Sequence, residues 1–209
     1  MSQQGLYFQI LGNTFQRHAY QVGTSNKSRG NKTMNTHVAF LRGINVGGNT
    51  MVSMKDLAAI CSNIGFEKVR THLNSGNVLF ESPLPEAELR KTLERALSVK
   101  TGKDLGVVIR SPGDLERVVQ GNPFPEAGPS QVGVLLVAEP VAENVLAEFV
   151  IPGREVVVPG KREVYVHYPD GMGRSKLKWP LSLRGGTMRN INTLTRLVSL
   201  AAEKQALPS

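Results

Sequence analysis

The chain carries one cysteine, Cys61, in 209 residues. It cannot close an internal disulfide, and it gives no sign of an oxidising compartment. The four histidines, His18, His37, His72 and His167, are scattered and no cysteine pair accompanies them. A zinc site needs ligands at short paired spacing, so no metal is expected. No apolar run approaches the roughly 18 residues of a membrane span. The longest, 132–138 and 145–151, suit a strand or a helix core. A Gly-x-Ser-x-Gly elbow, a Walker ending in Gly-Lys-Ser/Thr and the dinucleotide fingerprint are all missing, and no cofactor is expected. No pair of acids stands out as a general acid–base couple. Cys61 falls on the apolar face of a helix and reads as a buried thiol rather than a nucleophile. His72 is expected at the solvent face beside Arg70, and His167 at a sheet rim with Glu163 and Tyr165. These absences describe a cytoplasmic protein without disulfide, metal or membrane chemistry.

Charge is present but unevenly placed. The net charge is +8 and the pI about 9.8. Residues 1–33 hold Arg17, Lys27, Arg29 and Lys32 and no acid, so half of the excess lies there. The remainder is mildly basic, a weak argument for a polyanion partner. Residues 1–35, rich in Gln, Asn and Ser, are assigned to a disordered N-terminal extension outside the fold. Met34 is expected to be the native start, with the upstream part a start-site miscall or an added tag.

From residue 36 the patterning is that of a folded domain. The run 37–44 reads as a buried strand ending in a glycine-rich loop. Ser53 with Asp56 opens a helix through Ile64, and Gly65 ends it. Residues 68–73 and 78–81 form a hairpin across Asn74-Ser75-Gly76-Asn77. Pro85 begins a helix that Gly102 closes, and 105–110 is a fourth strand. The order β-α-β-β-α-β is the ferredoxin-like unit. Ser111-Pro112 then starts another helix. The Pro/Gly-rich stretch 122–130 marks a boundary between halves at 36–121 and 122–209. In the second half a strand at 132–138, a helix at 140–150, a hairpin of 155–158 with 163–168 and a final helix from about Asn190 to Gln205 are expected. The fold class is therefore α+β: two ferredoxin-like halves, a duplication, the second modified by extra C-terminal helices.

Antiparallel topology then gathers the polar motifs. The first and second strands run the same way, so the loop leaving strand one lies at the same end as the hairpin turn. Arg42, Gly43, Asn45, Gly47 and Gly48 are thereby placed beside Ser75, Gly76 and Asn77. The helix starting at Ser53 points its N–H groups to that end. Arg42 offers a planar fork for phosphate or carboxylate. Asn74 and Asn77 equally suit a tight turn. Near the C-terminus, Thr187 or Asn190 caps a helix, which leaves Arg189, Asn192 and Thr193 as surplus donors. Gly171–Lys176, with Ser175 and Lys176, is a further candidate.

These strings carry a resemblance. Phe40-Leu-Arg-Gly-Ile-Asn-Val-Gly-Gly48, Ser75-Gly-Asn-Val-Leu-Phe80, Ser175-Lys-Leu177 and Arg189-Asn190 with Asn192-Thr193 resemble DUF1697, a mainly bacterial domain-of-unknown-function family, over about residues 36–203. The resemblance implies the duplicated ferredoxin-like fold and carries no activity. It marks Arg42, Gly43, Asn45, Gly47, Gly48, Ser75, Gly76, Asn77, Ser175, Lys176, Arg189, Asn190 and Thr193 as motif positions. Departures fall at Ile191, where the family often has tryptophan, at Asn74 for a usual glutamine and at His72 for a usual tyrosine. Ile191 removes a stacking surface.

The expected function is binding of a small anionic ligand, phosphate or carboxylate, in a cleft formed by these motifs. Arg42 and Arg189 would hold the anion, and no residue demands catalysis. A nucleic-acid-binding module is the weaker reading: Phe40 and Phe80 read as core, and a full aromatic signature is missing. A protein-interaction role has no positive motif, and the sequence sets no oligomeric state.

Overall fold

Eight strands and four helices alternate along the described residues of the computed structural model, which are 33–44, 52–72 and 76–205. The order is β1 (Asn35–Leu41), α1 (Met54–Asn63), β2 (Glu67–His72), β3 (Asn77–Ser82), α2 (Glu86–Thr101), β4 (Val107–Arg110), α3 (Pro112–Gln120), β5 (Val132–Leu136), β6 (Val156–Pro159), β7 (Glu163–His167), β8 (Thr187–Asn190) and α4 (Ile191–Gln205). The strands form two four-stranded sheets, ordered β2-β3-β1-β4 and β6-β7-β5-β8. Every strand pairing is antiparallel. The protein is thus mixed α+β.

Local chemistry sets most element ends. Ser53 accepts from the Asp56 backbone N–H at the start of α1. Ser111 and Asp114 form a reciprocal capping box on α3, with Pro112 in its first turn. Gly102 terminates α2 at φ 68°, a left-handed conformation that suits glycine.

The period-2 alternation of β1 divides the first sheet between two cores. Val38 and Phe40 face a core shared with β5, α3 and α4, including Val134, Leu115 and Leu194. Ala39 and Leu41 face the other way, onto α1 and α2 through Leu57, Cys61, Leu89 and Leu93. The outer face of the second sheet is covered differently. Instead of the helix expected over 140–150, the chain makes one 3-10 turn at Val145–Glu148. The physical reason lies in backbone bonding. The Val137 N–H donates to Arg162 O at 3.1 Å and the Val141 N–H to Lys161 O at 2.9 Å, so the chain stays tied along the β6–β7 turn. Phe149 and Trp179 then pack edge to face, 5.3 Å between centroids, against that outer core. The segment expected as a polar helix entrance is also different: Thr187–Asn190 is strand β8, on β5.

Two arginines cross between the sheets reciprocally. Arg110 stands opposite Val38 in the β1–β4 ladder, and Arg189 stands opposite Val134 in the β5–β8 ladder. Arg110 Nη2 donates to Val137 O at 2.6 Å and to Arg162 O at 2.8 Å in the second sheet. Arg189 Nη2 donates to Leu41 O at 2.9 Å in the first. Leu41 lies three residues beyond Val38, and Val137 three beyond Val134, so the two bonds occupy matching places. Burial pushes both guanidinium groups down to about 10. Around Arg110 the link is reinforced by Arg162, whose guanidinium pairs with Glu86 at the start of α2 and donates to Ala138 O.

Removing Arg110 takes the guanidinium donor from the Val137 carbonyl, at a cost of about 1–3 kcal/mol, and leaves Arg162 O with the Val137 N–H alone. Arg110→Ala is therefore expected to lose at least about 2 kcal/mol of unfolding free energy in urea. Arg154→Ala, which removes an exposed ion pair with Asp170, should leave the urea midpoint unchanged.

Candidate functional site

The loop leaving β1 and the β2–β3 turn meet. The Leu41 N–H donates to Gly76 O at 2.8 Å. Gly76 has φ 74°, and a Cβ placed there would overlap the Ile44 side chain. Glycine is required at this position because the buried Ile44 packs directly on the turn. Asn77 is fully buried. Its Nδ2 donates to His72 O at 3.0 Å, and its Oδ1 accepts from Arg189 Nε at 2.6 Å. The β1 loop exit, the hairpin turn and the start of the C-terminal motif thus converge on one buried polar knot. Asn45, Gly47, Gly48 and Ser75, with Asn74, lie outside the described residues.

Arg189 is occupied in a way the sequence did not suggest. Nε donates to Asn77, Nη1 to Thr187 Oγ1 and Met188 O, each at 2.7 Å, and Nη2 to Leu41 O. Its guanidinium carbon also lies 5.7 Å from the Phe40 ring centroid. Instead of reaching for a ligand, this arginine ties β8 to the ends of β1 and β3. Asn190 and Thr193 are likewise engaged together. Asn190 Oδ1 accepts the Thr193 N–H at 2.8 Å and its hydroxyl at 2.7 Å, which caps α4. Ile191 is buried in the shared core, so this position serves packing.

Ser175 and Lys176 sit elsewhere. They follow a 3-10 turn at Met172–Arg174 and line a recess of about 140 Å³ with Glu155, Tyr168 and Asp170. The Ser175 hydroxyl donates to Glu155 Oε1 and accepts the Leu177 N–H at 3.1 Å. That hydrogen bond holds the Glu155 carboxyl below its usual range, which makes it a poor base toward the serine. Arg42 does not line this recess, so the fourth candidate stretch is separate from the first.

Arg42 and Gly43 are exposed, Gly43 at φ 68°. The Arg42 N–H donates to Gly106 O at 2.9 Å, which fixes its backbone on β4's approach. Its side chain borders a recess of about 390 Å³ between the two sheets, with Arg90, Val137, Ala138, Leu183 and Gly185 among its walls. Arg90 pairs with Glu139 at 3.2 Å, and Glu94 accepts the Val107 N–H at 3.0 Å. Among the described residues, no hydrogen-bond acceptor or carboxylate partner is found for the Arg42 guanidinium. At α1, Ser53 and Asp56 occupy each other.

The exclusions can be placed too. Phe40 and Phe80 are fully buried. Cys61 is buried, and burial pushes its thiol up to about 12. Burial lowers His72, with Arg196 and Arg70 adding to the effect. The half-buried His167 lies 5.5 Å from the Phe124 ring. No group of three metal-ligating side chains and no helix long and apolar enough to cross a membrane occurs among the described residues.

Arg110, Ala138 and Gly185 were missed by motif reading. A signal for the first was available: Arg110-Ser-Pro-Gly-Asp-Leu-Glu-Arg117 and Arg189-Asn-Ile-Asn-Thr-Leu-Thr-Arg196 share Arg, Leu and Arg at identical spacing.

Two antiparallel four-stranded sheets sharing a core, with a recess between them bordered by an exposed arginine, define the class. The chain belongs to the family described as a protein of unknown function, DUF1697, whose model matches residues 34–165. It is similar to the solved structure of the conserved bacterial protein SP0830 from Streptococcus pneumoniae. The identity is 26%, the TM-score 0.68, and the match covers 81% of this chain and 99% of that one. A search of curated proteins finds no match.

Asn77→Ala removes the acceptor of Arg189 Nε, and a loss of about 1–3 kcal/mol in urea unfolding is expected. Separately, because the folded thiol stays protonated, Cys61 should resist iodoacetamide at pH 8.5 in the native protein and react readily in urea. The unfolded thiol ionises near 9, so the stability contributed by Cys61 is complete below that pH and declines from pH 9 towards 12.

Proposed function

We propose that the protein is a duplicated ferredoxin-like unit that binds a small phosphate- or carboxylate-bearing ligand in the recess between its sheets. Arg42 is the anion's holder, and no reaction is assigned. Gly43, Asn45, Gly47 and Gly48 of the same loop, with Ser75 of the turn, supply further donors. Arg189, Asn77 and Gly76 act one step behind, by fixing the strand end from which Arg42 emerges.

The observation that carries this reading is the state of the Arg42 guanidinium. It is exposed at the rim of a concave space, and no protein acceptor takes it among the described residues. A planar fork in that setting suits a two-oxygen partner. The recess size lies in the range of small-molecule sites, roughly 300–1,000 Å³. The matching register of Arg110 and Arg189, and the matching sheet orders, support the duplication. The absence of disulfide chemistry supports a cytoplasmic setting.

The test is thermal unfolding with inorganic phosphate against chloride at matched ionic strength. The wild type is expected to gain stability with phosphate, and Arg42→Ala to lose that gain. An equal phosphate gain in both proteins, or none in the wild type, contradicts the reading.

A further inference from the structure

The recess lies where matching positions of the two halves face each other. Counting from the matched arginines and their strand partners, Arg42 corresponds to Ala138, each four residues beyond Val38 or Val134. Gly106 corresponds to Gly185, each four residues before its arginine, and Val107 to Gly186. All six border the same space. The two glycines nearly touch: a Cβ at Gly106 would lie 4.0 Å from Gly185 O.

The correspondence is equal in backbone and unequal in side chains. One wall carries a guanidinium on a long arm. The other has a methyl group at the same place, followed by glycines where the first half has Gly106 and Val107. A Cβ at Gly185 would meet nothing within 4 Å, so this side is open. Behind it stand Val137 and Leu183, both buried, and the half-buried Val141. Had both halves kept an arginine, the recess would be doubly charged and narrower. As built, Arg42 gives the recess a guanidinium that no acceptor among the described residues takes, while Arg90 and Glu139 pair with each other and Glu94 holds the Val107 N–H. The side at Ala138, Val141, Leu183 and Gly185 is apolar and unfilled.

We infer that the ligand is an amphiphilic anion: a phosphate or carboxylate head at Arg42 joined to an apolar body that crosses the glycine pair and rests against Ala138, Val141 and Leu183. This rests on the anion reading above and adds the second end. Inorganic phosphate is then only a fragment of the ligand, and most of the affinity comes from removing the body from water.

Phenyl phosphate and inorganic phosphate, titrated by calorimetry into the full chain, separate the two ideas. The wild type is expected to bind phenyl phosphate roughly tenfold tighter or better. Ala138→Leu fills the apolar end, and Gly185→Leu is a second variant on a wall with free space. Each folded variant should bring the ratio of the two affinities to near one. A wild-type ratio near one, with phosphate bound, overturns this inference alone. A ratio unchanged in both variants also overturns it. Binding of neither compound overturns the anion reading and this inference together.

Discussion

The exchange of Arg110 and Arg189 between the sheets is the constraint from which the rest of the architecture follows. A guanidinium presents five N–H donors in a rigid plane and stays charged when buried. Its burial is tolerable only where acceptors surround it. Here the acceptors are the carbonyls of Leu41 and Val137, at the ends of the two central strands. Each arginine therefore fixes the place where the other half's central strand stops. The residues that follow, Arg42 and Ala138, are the two walls of the recess. The clamped carbonyl of Leu41 and the exposed side chain of Arg42 are thus adjacent in the chain.

Asn77 shows how the two sites of exchange differ. By register it faces Phe40 in β1, where Glu163 faces Leu136 in β5. The neutral amide accepts from Arg189 inside the protein. The Glu163 carboxylate instead folds back onto the backbone N–H groups of Lys161 and Arg162. The charge at the Arg110 end is balanced by Glu86, shared with Arg162. At the Arg189 end the acceptors among the described residues are neutral. The first end is a charged network and the second a polar knot, built on the same backbone plan.

Much of the first half was legible because its signals are local. Ser53, Ser111, Pro112 and Gly102 announce helix ends by side-chain and backbone chemistry that depends on a few neighbours. The meeting of the β1 loop with the Gly76–Asn77 turn was legible from strand direction alone. In the second half the strand at 132–138, the hairpin and the final helix were legible too; the covering of its outer face was not, because that is held by long-range backbone bonds. Residues 140–150 carry a helical spacing of apolar side chains, yet Val137 and Val141 are drawn onto the β6–β7 turn. Thr187–Asn190 looked like a helix entrance because its polar groups face inward, where only tertiary context supplies acceptors. For the same reason Arg189 and Thr193 suggested surplus donors when they are partnered within the protein, while Asn190 is the helix cap its position suggested. The recess itself is made by what is missing at Ala138 and Gly185, and an absent side chain leaves no motif.

The most direct measurement is a crystal structure of the protein grown with phenyl phosphate. The account predicts difference density between the sheets, with the phosphoryl oxygens within hydrogen-bond reach of the Arg42 guanidinium and the ring beside Ala138 and Gly185. Density for the compound elsewhere on the surface, with the recess holding solvent alone, would contradict it.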